Sequence, residues 1–110
     1  MSSKPDSNAL ISRMVEKLAA EYSPQQVILF GSRATGTAHR DSDIDLLIIK
    51  DTSDRLIDRL VAVRRILSDP NRTVQLDALV LTPQEISDRL AVGDQFTQDI
   101  LDRGQVLYAA

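Results

Sequence analysis

Residues 26–50 read QVILFGSRATGTAHRDSDIDLLIIK, and the fold is decided by how this stretch is parsed. QVILF, residues 26–30, is apolar and β-branched and stops at a glycine, as a short buried strand does. IDLLIIK, residues 44–50, is a second strand, with Asp45 as a charge inside an otherwise apolar run and Lys50 as a solvated end. Between them, GSRATG predicts a turn or two of helix starting at Ser32 and closed by Gly36. Residues 37–43 then form a polar loop. The connection is short for a full crossover, so an antiparallel pairing of the two strands is as open as a parallel one. The antiparallel choice would make the sheet mixed.

Working outward, ALISRMVEKLAA, residues 9–20, places Leu10, Ile11, Met14, Val15 and Leu18 on one helical stripe. Ser23-Pro24 breaks that helix. Downstream, a second long helix spans residues 54–68, its period marked by Leu56, Ile57, Leu60, Val61, Arg64 and Leu67. TVQLDALVL, residues 73–81, is a third strand. Val74, Leu76, Ala78 and Val80 share one of its faces; Gln75, Asp77, Leu79 and Leu81 share the other. Thr82-Pro83-Gln84-Glu85 is a helix start with a capping box and a proline in the first turn. That helix ends near Gly93. Residues 94–103 form another helix with Phe96, Ile100 and Leu101 inward, and residues 106–108 a final strand or extended tail. The expected class is α/β (α+β), a small mixed β-sheet backed by helices, as one domain over residues 1–110.

Composition narrows the function. The chain has 110 residues and a formal net charge of −3. A protein that grips nucleic acid through backbone phosphates needs a basic surface, so direct DNA binding is not expected. Two Phe and two Tyr are too few for a base-stacking platform. There is no cysteine, hence no disulfide or thiolate metal site. No apolar run approaches a membrane span and no signal peptide is visible, so a cytoplasmic protein is expected.

Three features carry chemistry. Gly31-Ser32, after a buried strand, permits an unusual backbone angle and the close approach of an anion; a plain strand-to-helix turn would use the same residues. Asp43 and Asp45, two apart on a strand, point the same way and repel each other. A divalent cation or an unusual pKa must offset that repulsion, and short carboxylates suit Mg²⁺. Asp77 is a third strand acid. It is either an outward residue on a wet face or, if the third strand lies beside the second, part of the same cluster. Three carboxylates around two Mg²⁺ ions are what phosphoryl or nucleotidyl transfer requires. Arg33 and Arg40 are the nearby cations, Arg33 able to reach phosphates or pack outward. His39, the single histidine, reads as an exposed loop residue, and Ser42 as a turn former before Asp43.

GSRATGTAHRDSDIDLLII resembles the signature of the polymerase-β nucleotidyltransferase superfamily, GS followed after ten residues by DxD. It is most similar to the minimal nucleotidyltransferases (MNT, or MntA-like proteins). The later Leu76-Asp77, the run Leu81-Thr82-Pro83-Gln84-Glu85 and the ending from Asp99 to Tyr108 extend the likeness over nearly the whole chain. The resemblance implies a polymerase-β-like fold and transfer of AMP from ATP. Gly31, Ser32 and Arg33 would hold the triphosphate. Asp43, Asp45 and Asp77 would be the catalytic metal ligands for two Mg²⁺ ions, Asp77 also activating the acceptor hydroxyl. It further implies a HEPN-domain toxin as partner, modified on tyrosine, with this chain as antitoxin of a type VII-like pair in a hetero-oligomer. Two alternatives stand beside it. One is a non-catalytic antitoxin that covers its partner; Leu90, Val92 and Phe96 are either its apolar patch or core residues. The other is transfer to a small molecule or RNA end with a separate binding subunit. The family's GSRARG is GSRATG here, so Thr35 stands where an arginine is usual.

Overall fold

The first two strands pair antiparallel. In a computed structural model that describes residues 7–39 and 42–110, β1 (Gln26–Phe30) runs against β2 (Ile44–Ile49), with Phe30 opposite Asp45. β3 (Leu76–Leu81) lies parallel to β2 on its other side. β4 (Gln105–Ala109) closes the far edge antiparallel to β1, so the tail is a true strand. The order is β3-β2-β1-β4, a mixed four-stranded sheet.

Five helices serve this sheet among the described residues: α1 (Ser7–Glu21), α2 (Ser32–Thr35), α3 (Leu56–Ile66), α4 (Pro83–Ala91) and α5 (Gln95–Arg103). A parallel pair needs a long crossover, and α3 supplies it between β2 and β3. The β1–β2 link needs none, because α2 is a single turn inside an antiparallel connection.

Alternation along the strands sends side chains to two cores. On one face Val27, Leu29, Ile44, Leu46, Ile48 and Val80 meet Ile11, Met14 and Leu18 of α1 and Val63 of α3. On the other Ile28, Leu47, Ile49 and Leu81 meet Ile86 of α4 and Ile100 of α5. β2 is therefore covered on both faces, which explains its almost unbroken apolar run. Asp45 is the one residue of β2 that is not buried.

Three readings of inward faces are corrected. On α3 the buried positions are Arg59 and Val63, with Leu67 just past the helix end. Leu56, Ile57 and Val61, which marked the sequence period, are exposed. The inward stripe is hidden because a charged residue occupies it. Arg59 donates to the carbonyls of Asp54 and Val80 and, at 2.6 Å, to Glu85 Oε1, so its buried charge is matched. On α5 Ile100 is inward as expected, but Phe96 and Leu101 are exposed and Thr97 is buried. Thr97 tolerates burial because its hydroxyl donates to Asp94 Oδ2 at 2.7 Å. Lys50 is only partly exposed: its ammonium lies 4.6 Å from the centre of the Tyr22 ring and donates to the Tyr22 carbonyl.

The capping box at α4 forms as read. Thr82 Oγ1 accepts from Glu85 N at 3.1 Å, and Glu85 Oε1 accepts from Thr82 N at 2.7 Å. The same Oε1 takes the Arg59 bond, so one carboxylate ties α3, β3 and α4 together. The Arg59 hydrogen bond, with those from Thr82, holds Glu85 below its ordinary pKa of 4.5 against an opposing burial effect. A depressed carboxylate pKa means stability that is present above the unfolded value and lost as pH falls through the folded one. Denaturant melts taken from neutral pH down through 4.5 and below should therefore show an acid loss of stability. Glu85→Gln should be less stable at neutral pH and show a flatter acid limb. An unchanged slope would mean that Glu85 does not carry this pH dependence.

Candidate active site

Gly31 ends β1 in a conformation closed to other residues, with φ 74° and ψ −157°. Its lack of a side chain also matters. A Cβ placed there would lie 2.3 Å from Asp45 Oδ2. The Asp45 carboxylate thus rests directly on the Gly31 backbone. The chain then enters α2, whose four residues begin at Ser32 and end at Gly36.

Asp45 has neighbours on both sides at one level of the sheet. Phe30 is its register partner on β1 and Asp77 its register partner on β3. Directly opposed residues share a face. Phe30, Asp45 and Asp77 therefore form a row across three strands, on the face that carries α4 and α5. Burial, the charges of Asp77 and then Asp43, and a side-chain hydrogen bond with Asp77 all raise the Asp45 pKa; Arg33 opposes them weakly. A shared proton or a cation is what such a pair of acids demands.

Asp43 is exposed at the mouth of β2, and Asp77 is exposed on the edge strand β3. The fold thus unites Asp45 with Asp77 and leaves Asp43 beside them, near enough to act on Asp45 through its charge. Among the described residues, no three acids or histidines are gathered tightly enough to hold an ion as they stand. The donor set nonetheless suits a hard divalent cation: oxygen only, partly solvent-facing and in mutual repulsion.

Arg33 has a role that its position after Ser32 did not disclose. Its Nε and Nη2 donate to the carbonyl of Ser42 at 3.0 and 2.6 Å, and Nε also reaches the Asp43 carbonyl at 3.3 Å. It therefore pins the strand entry that presents Asp43. Ser42 turns the loop as read: its amide donates to the His39 carbonyl and its Oγ accepts from the His39 amide, both at 3.0 Å. His39 is exposed. Thr35 Oγ1 pairs with Thr37 Oγ1 at 3.1 Å. Arg40 lies outside the described residues.

Two cavities matter for placing a ligand. One of about 220 Å³ adjoins the row of acids and is lined by Phe30, Gly31, Thr35, Phe96, Asp99 and Arg103, among others. A larger groove of about 580 Å³ runs between α1 and residues 67–72 on the opposite face of the sheet. Its rim carries Arg13, Lys17 and Arg72 beside Glu16, Glu21 and Asp69, a mixed solvated surface remote from the carboxylates. Size does not pick out the candidate site; the paired acids Asp45 and Asp77 do.

Comparison with known proteins bears on the family and the fold. The family model described as nucleotidyltransferase domain matches residues 11–107. A candidate nucleotidyltransferase from Sulfolobus solfataricus superposes with a TM-score of 0.65 at 23% identity, covering 99% of this chain and 93% of that one. A toxin–antitoxin structure with AMP-PNP has a TM-score of 0.63 at 23% identity, covering 90% of this chain and 73% of that one. A mutant of the toxin–antitoxin MntA–HpeT gives 0.60 at 18% identity, covering 89% and 71%. Among curated proteins none matches. The mixed sheet and its helices are those of the polymerase-β-like nucleotidyltransferase fold. No helix among the described residues is long and apolar enough to cross a membrane.

Proposed function

We propose, because this chain belongs to the nucleotidyltransferase domain family, that it transfers AMP from ATP to a hydroxyl of a partner protein, a tyrosine of a cognate HEPN-type toxin, and so acts as an antitoxin. One observation carries the chemistry: Asp45 and Asp77 face each other in register, with Asp45 lying against Gly31 and Asp43 two residues away. The toxin–antitoxin structures of the same fold, one with AMP-PNP, support a protein acceptor and an adenine nucleotide donor. Exposure of Asp43 and Asp77 leaves the acids open to a large acceptor.

In this reading the triphosphate lies on the Gly31–Ser32 turn. Arg33 acts indirectly, by holding the Ser42–Asp43 backbone in place. Asp43, Asp45 and Asp77 would hold Mg²⁺, which neutralises phosphate charge and lowers the pKa of the acceptor hydroxyl. The acceptor oxygen attacks the α-phosphorus. The bond to the α–β bridging oxygen breaks, and pyrophosphate leaves with its electron pair. Asp77, on the edge strand, takes the hydroxyl proton.

A second reading has the chain neutralise its partner by covering it, without transfer. Val92 and Phe96, 83% and 51% exposed at the α4–α5 corner, favour that reading; Leu90, by contrast, packs on the second core. One experiment separates the two. The protein is mixed with labelled ATP, Mg²⁺ and any HEPN-type protein found to be encoded by a neighbouring gene. Label on that protein, absent with Asp43→Asn or Asp45→Asn, is expected. Full neutralisation by those variants, with no label, would overturn the transferase reading.

A further inference from the structure

We infer that the cavity beside Gly31, walled by Phe30 and Phe96 and edged by Asp99 and Arg103, is the slot for the nucleobase of the donor nucleotide. This rests on the reading of the chain as a nucleotidyltransferase and adds the position of the base, which the carboxylates leave open.

The argument starts from the row across the sheet. Phe30 is the register partner of Asp45, so an aromatic ring stands immediately beside the acids on the same face. Gly31 belongs to both places. It takes the Asp45 carboxylate against its backbone and also lines the cavity. A nucleotide whose phosphates rest on Gly31 thus has a cavity within reach, on the side away from Asp77. The acceptor, which Asp77 serves, approaches from the other side, so the cavity falls to the donor.

The lining fits a base better than a phosphate. Phe30 and Phe96 meet edge to face, with ring centres 5.8 Å apart and planes at 87°. Ile100 contributes further apolar surface. Asp99 would repel a polyanion but can accept from an amino or imino group on a base edge. Arg103, one helical turn on, can donate to ring nitrogens or carbonyl oxygens. The volume of about 220 Å³ is below the roughly 300–1,000 Å³ of pockets that swallow whole drug-sized ligands. One ring system fits, with the sugar and phosphates outside along Gly31. Phe96 is half exposed although it sits at the cavity wall, so it has ring surface left for a ligand.

Gly104 builds the floor. A Cβ there would lie 2.6 Å from Ile28 Cγ2 and 3.1 Å from the Leu29 carbonyl oxygen. Glycine lets the end of α5 settle on β1, which brings Asp99 and Arg103 to the Phe30 end of the strand.

The test is calorimetric binding of ATP and of inorganic tripolyphosphate, each with Mg²⁺, to the wild type, Phe96→Ala and Phe96→Trp. Base–aromatic stacking corresponds to about a tenfold change in affinity. Phe96→Ala should weaken ATP by about that factor and leave tripolyphosphate unchanged, while Phe96→Trp retains ATP affinity. Equal weakening of both ligands, or of neither, overturns the slot and leaves the transferase reading intact. So does an unchanged ATP affinity with a raised KM for the protein acceptor. Failure of the wild type to bind either ligand removes the donor reading itself, and the slot with it. Phe96 is exposed, so the variants should fold; unchanged melting temperatures verify that.

Discussion

Asp45→Asn is expected to abolish nucleotidyl transfer and to make the protein more stable. The two effects have one cause. Asp45 is held partly buried, against Gly31 on one side and Asp77 on the other, with Asp43 nearby. Burial and the charges of Asp77 and Asp43 penalise its negative charge, Arg33 offsetting only part, and the penalty is borne by the folded state alone. Asparagine keeps the shape, removes the charge and offers an amide N–H to Asp77. Without added metal, the gain should be about 1 kcal/mol, the size of a typical stabilising surface-charge change. That corresponds to roughly 4–8 °C in Tm for a domain of this scale. Transfer should fall by about a hundredfold to a thousandfold, as when a principal electrostatic stabiliser of the reaction is removed. Mg²⁺ should raise the melting temperature of the wild type through linkage and do so far less in the variant. Thermal melts with and without Mg²⁺, beside a transfer assay, decide the matter. A variant that melts lower than the wild type, or retains activity within tenfold, would mean that Asp45 is a structural residue.

The sequence revealed the glycine turn and the paired aspartates because both are local. Gly31-Ser32 follows an apolar strand, and Asp43 and Asp45 follow from the period of two. The same locality made the α4 capping box readable from Thr82 to Glu85. What could not be read is what depends on partners distant in the chain. Asp77 reaches Asp45 only because β3 lies beside β2 in one particular register, and a crossover through α3 sets no register that composition can disclose. The buried face of α3 was obscured for the same reason. Arg59 occupies an inward position because Val80 and Glu85, more than twenty residues away, receive its donors. Leu56, Ile57 and Val61 then form a conspicuous stripe on the outside. On α5 the exchange is smaller: Asp94 satisfies Thr97, so the polar residue is buried and Phe96 is left at the cavity wall. Arg33 is legible only in part. Its place beside Ser32 pointed to phosphate, whereas its bonds to Ser42 and Asp43 show that it fastens the two halves of the motif to each other.

Gly31→Ala should damage the protein in two separable ways. The backbone there has φ 74° and ψ −157°, a region that essentially only glycine enters. Strain of that kind costs about 1–3 kcal/mol wherever it occurs. The second effect belongs to this site: the new methyl would lie 2.3 Å from Asp45 Oδ2 and 3.3 Å from Asp45 Cγ. Either the carboxylate swings away or the turn moves, and both displace groups of the candidate site by an ångström or so. A displacement of that size costs about a hundredfold in rate, so activity should fall at least that far. A double-mutant cycle with Asp45→Ala separates the two costs. In the Asp45→Ala background the methyl has no carboxylate to strike, so Gly31→Ala should cost the strain alone, and the two substitutions should couple by about 1 kcal/mol or more. Strictly additive costs would mean that glycine is needed here for its backbone angle only. Coupling would mean that position 31 is also empty to make room for Asp45, so that the turn and the acid strand form a single constraint on the fold.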